Sequence, residues 1–162
     1  MQQTARRLPR ASSIWVGVLF LVATISHTGN AQANCVAQAA DYYDLPEILL
    51  RAIVQYESGG DASVVHVNTN GSRDIGLMQI NEMWLPALAK QGISEADLLD
   101  GCVNVFVGAW ILSGNYARTR DLWQAVGAYN AGFRMTPQRD ARRVRYIGHI
   151  QSMLRRLKAE VR

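Results

Sequence analysis

The chain has 162 residues, a formal net charge of +4 and a hydrophobic share of 49%. Three of its 17 basic residues lie in the first ten positions, so the sequence beyond residue 33 is nearly neutral, with 14 basic and 13 acidic side chains. This balance excludes the strongly basic composition of a nucleic-acid-binding protein, and we expect no nucleic-acid partner. The sequence contains no internal repeat, low-complexity tract or second domain.

Residues 1–33 are typical of a signal peptide. Three arginines precede the apolar run Ile14–Ile25, and residues 31–33, Ala-Gln-Ala, form a small-residue cleavage pattern. The run is too short for a transmembrane helix, which needs roughly 20 apolar residues. Cleavage after Ala33 would leave residues 34–162 as one exported domain, and an uncleaved membrane anchor is the alternative.

The sequence has two cysteines, Cys35 and Cys102. In an oxidising compartment such a pair is more often a disulfide than a metal site or a redox couple. We therefore predict a disulfide between the start of the exported domain and a helix that begins near Cys102. In the chain-entropy view a loop of this length stabilises the fold by about 4 kcal/mol.

The first candidate for chemistry is a glutamate at the end of a helix. The spacing of Leu49, Ala52, Ile53 and Tyr56 predicts a helix with one buried face, and the glycines at 59 and 60 end it. Glu57 then lies on the last turn, where the negative helix end and apolar neighbours both raise the pKa of a carboxyl group. An acid that keeps its proton near neutral pH can protonate a glycosidic oxygen, whereas the alternative is a solvated glutamate at a frayed helix end.

A β-hairpin follows and carries a second carboxylate. Short apolar runs flank Asn70-Gly71, the strongest short hairpin signal, because both central residues of a type I′ turn need positive φ. The hairpin returns the chain towards Glu57 and bears Asp74. A one-residue change of register would turn Asp74 to the other face. The alternative for Asp74 is an aspartate near the turn that bonds backbone amides or pairs with the neighbours of Arg73.

The rest of the sequence predicts helices joined by short turns. Asn81 caps a short helix, and residues 94–97 resemble a capping box that opens another. The longest apolar helix, from Cys102 to Arg118, is apolar on most of its circumference and should be the central element. The other predicted helices are Cys35–Tyr43, Asp121–Tyr129 and about Arg139–Lys158.

The charge is uneven along the exported domain. Residues 34–133 carry 5 basic and 11 acidic side chains, while residues 134–162 carry 9 basic and 2 acidic ones. A basic tail on an acidic body predicts an anionic partner, either cell-wall polymer, a membrane surface or another protein. The alternative is a solvated helix face.

His66 and His149 have no partners at metal-ligand spacing, so we predict no metal site.

Four motifs together resemble one enzyme family. Asn68–Asn81 is similar to the hairpin of the c-type lysozymes, whose catalytic aspartate falls at Asp74. With Glu57-Ser58, Gly76–Gln79 and Ala128–Asn130, the chain resembles the lytic transglycosylases. Within them it is similar to the small periplasmic proteins that accompany type III and type IV secretion and conjugation systems. The resemblance covers roughly residues 35–146, and it implies a mainly helical α+β, lysozyme-like fold with one small β-hairpin beside the cleft, in a periplasmic monomer.

The resemblance also implies the chemistry. The substrate is peptidoglycan, cut between N-acetylmuramic acid and N-acetylglucosamine without cofactor or metal. Glu57 protonates the leaving oxygen and then acts as base on the muramoyl 6-hydroxyl, which closes a 1,6-anhydro product. The presence of Asp74 is a departure from the pattern of most transglycosylases, which use one glutamate. Retaining lysozymes, in contrast, use a second carboxylate. A hydrolytic muramidase and a catalytically weak, glycan-binding assembly factor are the alternatives.

The same resemblance assigns a set of residues to the substrate cleft. For Ser58 the alternative is a hydrogen bond to Glu57 or to the turn, for Met78 and Gln79 it is packing and a buried amide, and for Tyr146 it is a core position. The implied substrate-binding residues are Ser58, Met78, Gln79, Asn81, Tyr129, Asn130 and Tyr146, and Tyr146 is also implied to steady the acid.

Overall fold

The computed structural model describes residues 28–160, and the side chains from Asn34 onward. Residues 1–27, which hold most of the predicted signal peptide, lie outside the described residues. The described part is mainly helical with one small antiparallel sheet, which confirms the predicted α+β class. Its helices are α1 (Thr28–Tyr43), α2 (Glu47–Ser58), α3 (Leu85–Ala89), α4 (Gly101–Thr119), α5 (Leu122–Ala131) and α6 (Pro137–Glu160), and its strands are β1 (Val65–Val67), β2 (Arg73–Ile75) and β3 (Ile80–Asn81). Two short 3-10 helices span Glu82–Trp84 and Ala96–Leu99.

Helix α2 carries Glu57 on its last turn, as the sequence predicts. Leu49 and Ile53 are buried on its inner face. Gly59 ends the helix in the left-handed conformation, with φ of 65°, and its N–H donates to the carbonyl of Gln55. Tyr56, which the spacing assigns to the buried face, is instead 38% exposed, because this last turn borders an open cleft.

Helix α4 is the central element, packing against α1, α5 and the second 3-10 helix. It begins after Asp100, whose carboxylate accepts hydrogen bonds from the N–H groups of Cys102 (2.8 Å) and Val103 (3.0 Å). The predicted disulfide joins Cys35 of α1 to Cys102 across a Cα–Cα distance of 5.3 Å. It therefore connects the first described helix to the centre of the fold.

The hairpin is present, but its predicted turn type is wrong. The φ angle is positive at Gly71 (82°) and not at Asn70, whereas a type I′ turn needs positive φ at both residues. The N–H of Gly71 donates to the carbonyl of Asn68, and the N–H of Asn68 donates to the carbonyl of Ser72, both at 2.8 Å. This is a three-residue loop that ends in a left-handed glycine, which also matches the twist of a hairpin.

The sheet has a third strand that the sequence did not predict. Strand β2 lies in the middle of the order β1-β2-β3, and both pairings are antiparallel. Asp74 is opposite His66 on β1 and opposite Asn81 on β3. Strand β3 is only two residues long, so it has no alternating pattern from which it could be recognised.

Two predicted helix starts have the expected caps. The Asn81 side chain accepts a hydrogen bond from the N–H of Met83 (3.1 Å) and begins the 3-10 helix that leads into α3. The Asp97 carboxylate accepts from the N–H of Ser94 (2.7 Å), as in a capping box with aspartate in place of glutamate.

Helix α6 packs against both α2 and α5. Tyr146 and Ile150 are buried in these contacts, while Ile147 and Leu154 are half-buried. Because α6 crosses the end of α2, it brings residues far along the sequence next to Glu57.

None of the helices within residues 28–160 combines the length and the apolar character that a membrane span requires.

Candidate active site

An open cleft of about 1080 Å³ lies between the end of α2, the hairpin, the end of α5 and one face of α6. Its volume slightly exceeds the usual range for ligand pockets, roughly 300–1,000 Å³, as suits a polymeric ligand. The cleft brings together most of the predicted site residues, namely Glu57, Asp74, Gln79, Asn81, Tyr129, Asn130 and Tyr146. Ser58 and Met78 are not among the residues that line it.

Glu57 is a half-buried carboxyl group in this cleft. Its pKa is raised from 4.5 to about 7, chiefly because burial disfavours the charged form. The negative charge of Asp74 raises the pKa further, while a hydrogen bond from Tyr146 lowers it. The predicted direction of the pKa change is confirmed, and burial is its main cause.

Tyr146 contacts Glu57 directly. Its hydroxyl donates a hydrogen bond of 2.5 Å to Oε1 of Glu57, which leaves Oε2 as the other oxygen of that carboxyl group. The Tyr146 ring is buried and packs edge-on against Tyr56 at a centroid distance of 5.5 Å. Burial and the neighbouring Glu57 raise the pKa of Tyr146 well above its ordinary value, so the hydroxyl keeps its proton and acts as a donor.

Asp74 projects from the middle strand and is oriented by two amides. Its Oδ2 accepts a hydrogen bond from Nδ2 of Asn68 (2.8 Å), and its Oδ1 accepts one from Nδ2 of Asn81 (2.7 Å). Side-chain amides, rather than backbone amides at the turn, are therefore its partners. Asp74 and Glu57 line the same cleft, so the hairpin register places this carboxylate on the side of the acid.

The turn between β2 and β3 is positioned by Asn104, a buried residue of α4 that the sequence reasoning missed. Its Nδ2 donates to the carbonyls of Ile75 and Leu98, and its Oδ1 accepts from the N–H of Met78, each at 2.8 Å. Gly76 lies against this amide with φ of 75°, and a Cβ there would collide with Asn104 and the carbonyl of Leu98. An asparagine among the apolar residues at the start of this helix is the sequence signal that could have identified it.

The side chains of Ser58 and Met78 contact other parts of the fold and do not line the cleft. The Ser58 hydroxyl donates to the carbonyl of Leu77 (2.9 Å) and accepts from the N–H of Gly60 (3.2 Å), so it bonds the turn and not Glu57. The Met78 side chain is fully buried against Gly108 of α4. Their side chains therefore do not face the cleft as the resemblance implied, and the alternatives of a turn contact and of packing describe them.

The other predicted residues line the cleft in different ways. Tyr129 donates its hydroxyl to the carbonyl of Met78 (2.9 Å), which joins α5 to the same turn. Gln79 has a positive φ of 49° and donates its amide to the carbonyls of Val64 (3.1 Å) and Gly76 (2.8 Å). Asn130 is exposed at the end of α5. Hydrogen bonds of Tyr129 and Gln79 thus connect the buried side of the cleft, while Asn130 is on its exposed side.

Comparison with known proteins identifies relatives along most of the chain. Residues 34–147 match the family model described as Transglycosylase SLT domain. The chain is 38% identical to protein IpgF of Shigella flexneri over 144 residues, which cover 88% of this chain and 92% of that protein. It is 44% identical to invasion protein IagB of Salmonella typhimurium over 129 residues, or 79% of each chain. It is also 33% identical to a peptidoglycan-binding-like protein of Escherichia coli O157:H7 over 93% of both chains.

Proposed function

Because the chain belongs to the family of transglycosylase SLT domains, whose members are peptidoglycan lytic transglycosylases, we propose that Glu57 is the acid and base with which it cleaves the glycan. The observation that carries this proposal is the environment of Glu57. A carboxyl group with a pKa of about 7 lies in the cleft beside a second carboxylate, and a tyrosine hydroxyl binds one of its oxygens.

In the first step the Glu57 carboxylic acid donates its proton to the oxygen that links N-acetylmuramic acid to N-acetylglucosamine. The bond between the muramoyl anomeric carbon and that oxygen then breaks, and the positive charge develops on the muramoyl ring. A pKa near the working pH suits this transfer, because a substantial fraction of the enzyme carries the proton. The bond from Tyr146 to Oε1 favours Oε2 as the proton-donating oxygen.

In the second step the Glu57 carboxylate accepts the proton of the muramoyl 6-hydroxyl. The hydroxyl oxygen bonds to the anomeric carbon and forms the 1,6-anhydro ring, so no water is consumed and Glu57 regains its proton. Tyr146 supports this half of the cycle as well, since its hydrogen bond stabilises the charged carboxylate. Asp74, oriented by Asn68 and Asn81, supplies negative charge near the cationic transition state.

The orientation of Asp74 also favours a second candidate, a muramidase that hydrolyses the same bond. Retaining glycosidases use a second carboxylate of this kind as nucleophile or charge stabiliser. Mass spectrometry of fragments released from purified cell wall separates the two reactions. Anhydro ends support the transglycosylase, and reducing ends support the hydrolase.

The role of Glu57 is tested by the Glu57→Gln variant, which keeps the shape of the side chain and removes its acidic proton. We expect the release of fragments to fall by at least about 100-fold, the usual contribution of a general acid. Glu47→Gln is the matched control, because Glu47 is an exposed residue at the other end of the same helix. Unchanged release by Glu57→Gln would refute the assignment.

The biological role that we propose is local opening of the cell wall during assembly of a secretion or conjugation apparatus. The similarity to an invasion protein supports this role. The proposal includes export to the periplasm through a cleavable signal peptide at residues 1–33, and a monomeric domain over residues 34–162. If Glu57→Gln restores apparatus assembly in a deletion strain as well as the parent does, cleavage is not needed for assembly. The protein would then act as an assembly factor that only binds glycan.

A further inference from the structure

One face of α6 presents basic side chains to the cleft. Arg142, Arg145 and His149 line it, are exposed, and follow one another at helical spacings of three and four residues. They flank Tyr146, whose hydroxyl contacts Glu57. This row therefore lies along the same cleft as Glu57.

Two neighbouring arginines of α6, Arg139 and Arg143, have structural roles. Arg139 donates to the carbonyl of Ala131 (2.6 Å). Arg143 donates to the carbonyls of Gly132 (3.1 Å) and Arg134 (3.0 Å) and lies 3.1 Å from the Asp140 carboxylate. Both arginines thus join α6 to the segment that follows α5.

Arg142 and Arg145 have no such partners. Within residues 28–160 neither guanidinium forms a hydrogen bond or an ion pair, although each has five N–H donors. The carboxylates of the cleft are those of Glu57 and Asp74, and Asp74 already accepts bonds from two amides. Two adjacent guanidinium groups without a counter-ion favour an anionic ligand, above all one with carboxylates that can bind in a bidentate manner.

The substrate has its anionic groups in one part only. The N-acetyl sugars of the glycan backbone are neutral, whereas the peptide stem on the muramoyl lactyl group ends in carboxylates. We propose that Arg142 and Arg145 bind carboxylates of the peptide stem, so that the enzyme prefers strands that carry stems over strands that do not. This inference rests on the proposed function, since it concerns the same cleft and the same polymer.

The test compares three forms of the same purified glycan. The first carries native stems, the second carries stems whose carboxylates have been converted to amides, and the third has been treated with an amidase, which leaves only the lactyl carboxylate. We expect the parent to cleave the first form with a kcat/KM about tenfold above the other two, the factor that two exposed charge pairs supply. The difference should lie mainly in KM and should shrink as salt is added.

The Arg142→Ala/Arg145→Ala variant should lose this preference and cleave the three forms with similar kcat/KM. Its lysine counterpart, Arg142→Lys/Arg145→Lys, should retain part of the preference, because the charge remains but the bidentate geometry is lost. Arg155→Ala/Arg156→Ala is the matched control, since it removes two exposed arginines of the same helix that do not line the cleft. Thermal unfolding verifies that each variant is folded.

The outcomes separate the two proposals. If the parent releases fragments from none of the three forms, the proposed function fails. If it cleaves all three equally, or if the alanine variant keeps the preference, only the arginine assignment fails. If the amidase-treated form is cleaved as well as the native one and both depend on the arginines, the ligand is the lactyl carboxylate and the assignment to the stem is overturned.

Discussion

Replacing Glu57 by glutamine should stabilise the protein at high pH and leave it almost unchanged at low pH. Burial raises the pKa of Glu57 from 4.5 to about 7. A group whose pKa is higher in the folded state imposes no cost below its unfolded pKa, because the proton is bound in both states. As the pH rises through this interval the unfolded state loses its proton first, so the folded protein becomes less stable.

The size of this effect follows from the same two values. Each unit between the unfolded and folded pKa corresponds to about 1.4 kcal/mol, so the interval from 4.5 to about 7 amounts to about 3 kcal/mol. Glutamine carries no charge at any pH and can still accept the hydrogen bond from the Tyr146 hydroxyl. From acidic to alkaline pH, the unfolding free energy of the parent should therefore fall by about 3 kcal/mol more than that of Glu57→Gln.

Urea unfolding of both proteins at about pH 4 and about pH 8.5 measures this difference, because these values lie on either side of the interval. At each pH we subtract the unfolding free energy of the parent from that of the variant. Comparing this difference at the two pH values removes any effect of the substitution that does not depend on pH. Glu47→Gln controls for the loss of one exposed negative charge from the same helix, and because the ion pair of Glu47 with Arg51 is at the surface, its loss should change stability by less than about 1 kcal/mol. A stability difference between Glu57→Gln and the parent that does not vary with pH would refute the reasoning.

Four further changes test other parts of the site. Tyr146→Phe removes the hydrogen bond that lowers the pKa of Glu57, so the alkaline limb of the kcat/KM profile should move to higher pH, while a limb at the parental position would contradict the contact. Asp74→Asn removes the charge that raises that pKa, so the same limb should move to lower pH and the rate should fall; an upward movement would contradict the electrostatic coupling. Asn104→Leu removes the side-chain partner of the Met78 N–H and of the Ile75 and Leu98 carbonyls and should cost at least about 2 kcal/mol in urea unfolding, whereas a neutral effect would show that water takes the place of the amide. Changing Cys35 and Cys102 together to serine should lower the unfolding free energy by about 4 kcal/mol, and reductant should then have no further effect on the melting temperature.

The local features of the fold could be predicted from the sequence because each depends on residues that are close together in the chain. The end of α2 is encoded by Gly59, and the starts of the short helices are encoded by Asn81 and Asp97. The hairpin was predicted from Asn70-Gly71, although its three-residue loop was not, since the glycine signal is common to several turn types. Capping and turn signals are local, so they identify an element without identifying its packing.

The support of the site could not be predicted in this way. The hydrogen bond from Tyr146 to Glu57 joins residues 89 positions apart, and it depends on how α6 crosses α2. Asn104 lies on a helix whose apolar pattern indicates burial and gives no sign of the turn that its amide binds. For Ser58 and Met78 the motif was recognised, but the direction of each side chain was set by the turn of residues 76–79, which is a tertiary feature.

In the proposed mechanism Glu57 transfers a proton twice, and the muramoyl 6-hydroxyl, not water, attacks the anomeric carbon. Digestion of purified cell wall in ¹⁸O-labelled water, followed by mass spectrometry of the fragments, distinguishes these two attacking groups. We expect unlabelled muramoyl ends that are lighter by one water than reducing ends, and no such ends with Glu57→Gln. Muramoyl ends that carry one ¹⁸O atom would contradict the proposed mechanism, because they would show that water completes the reaction.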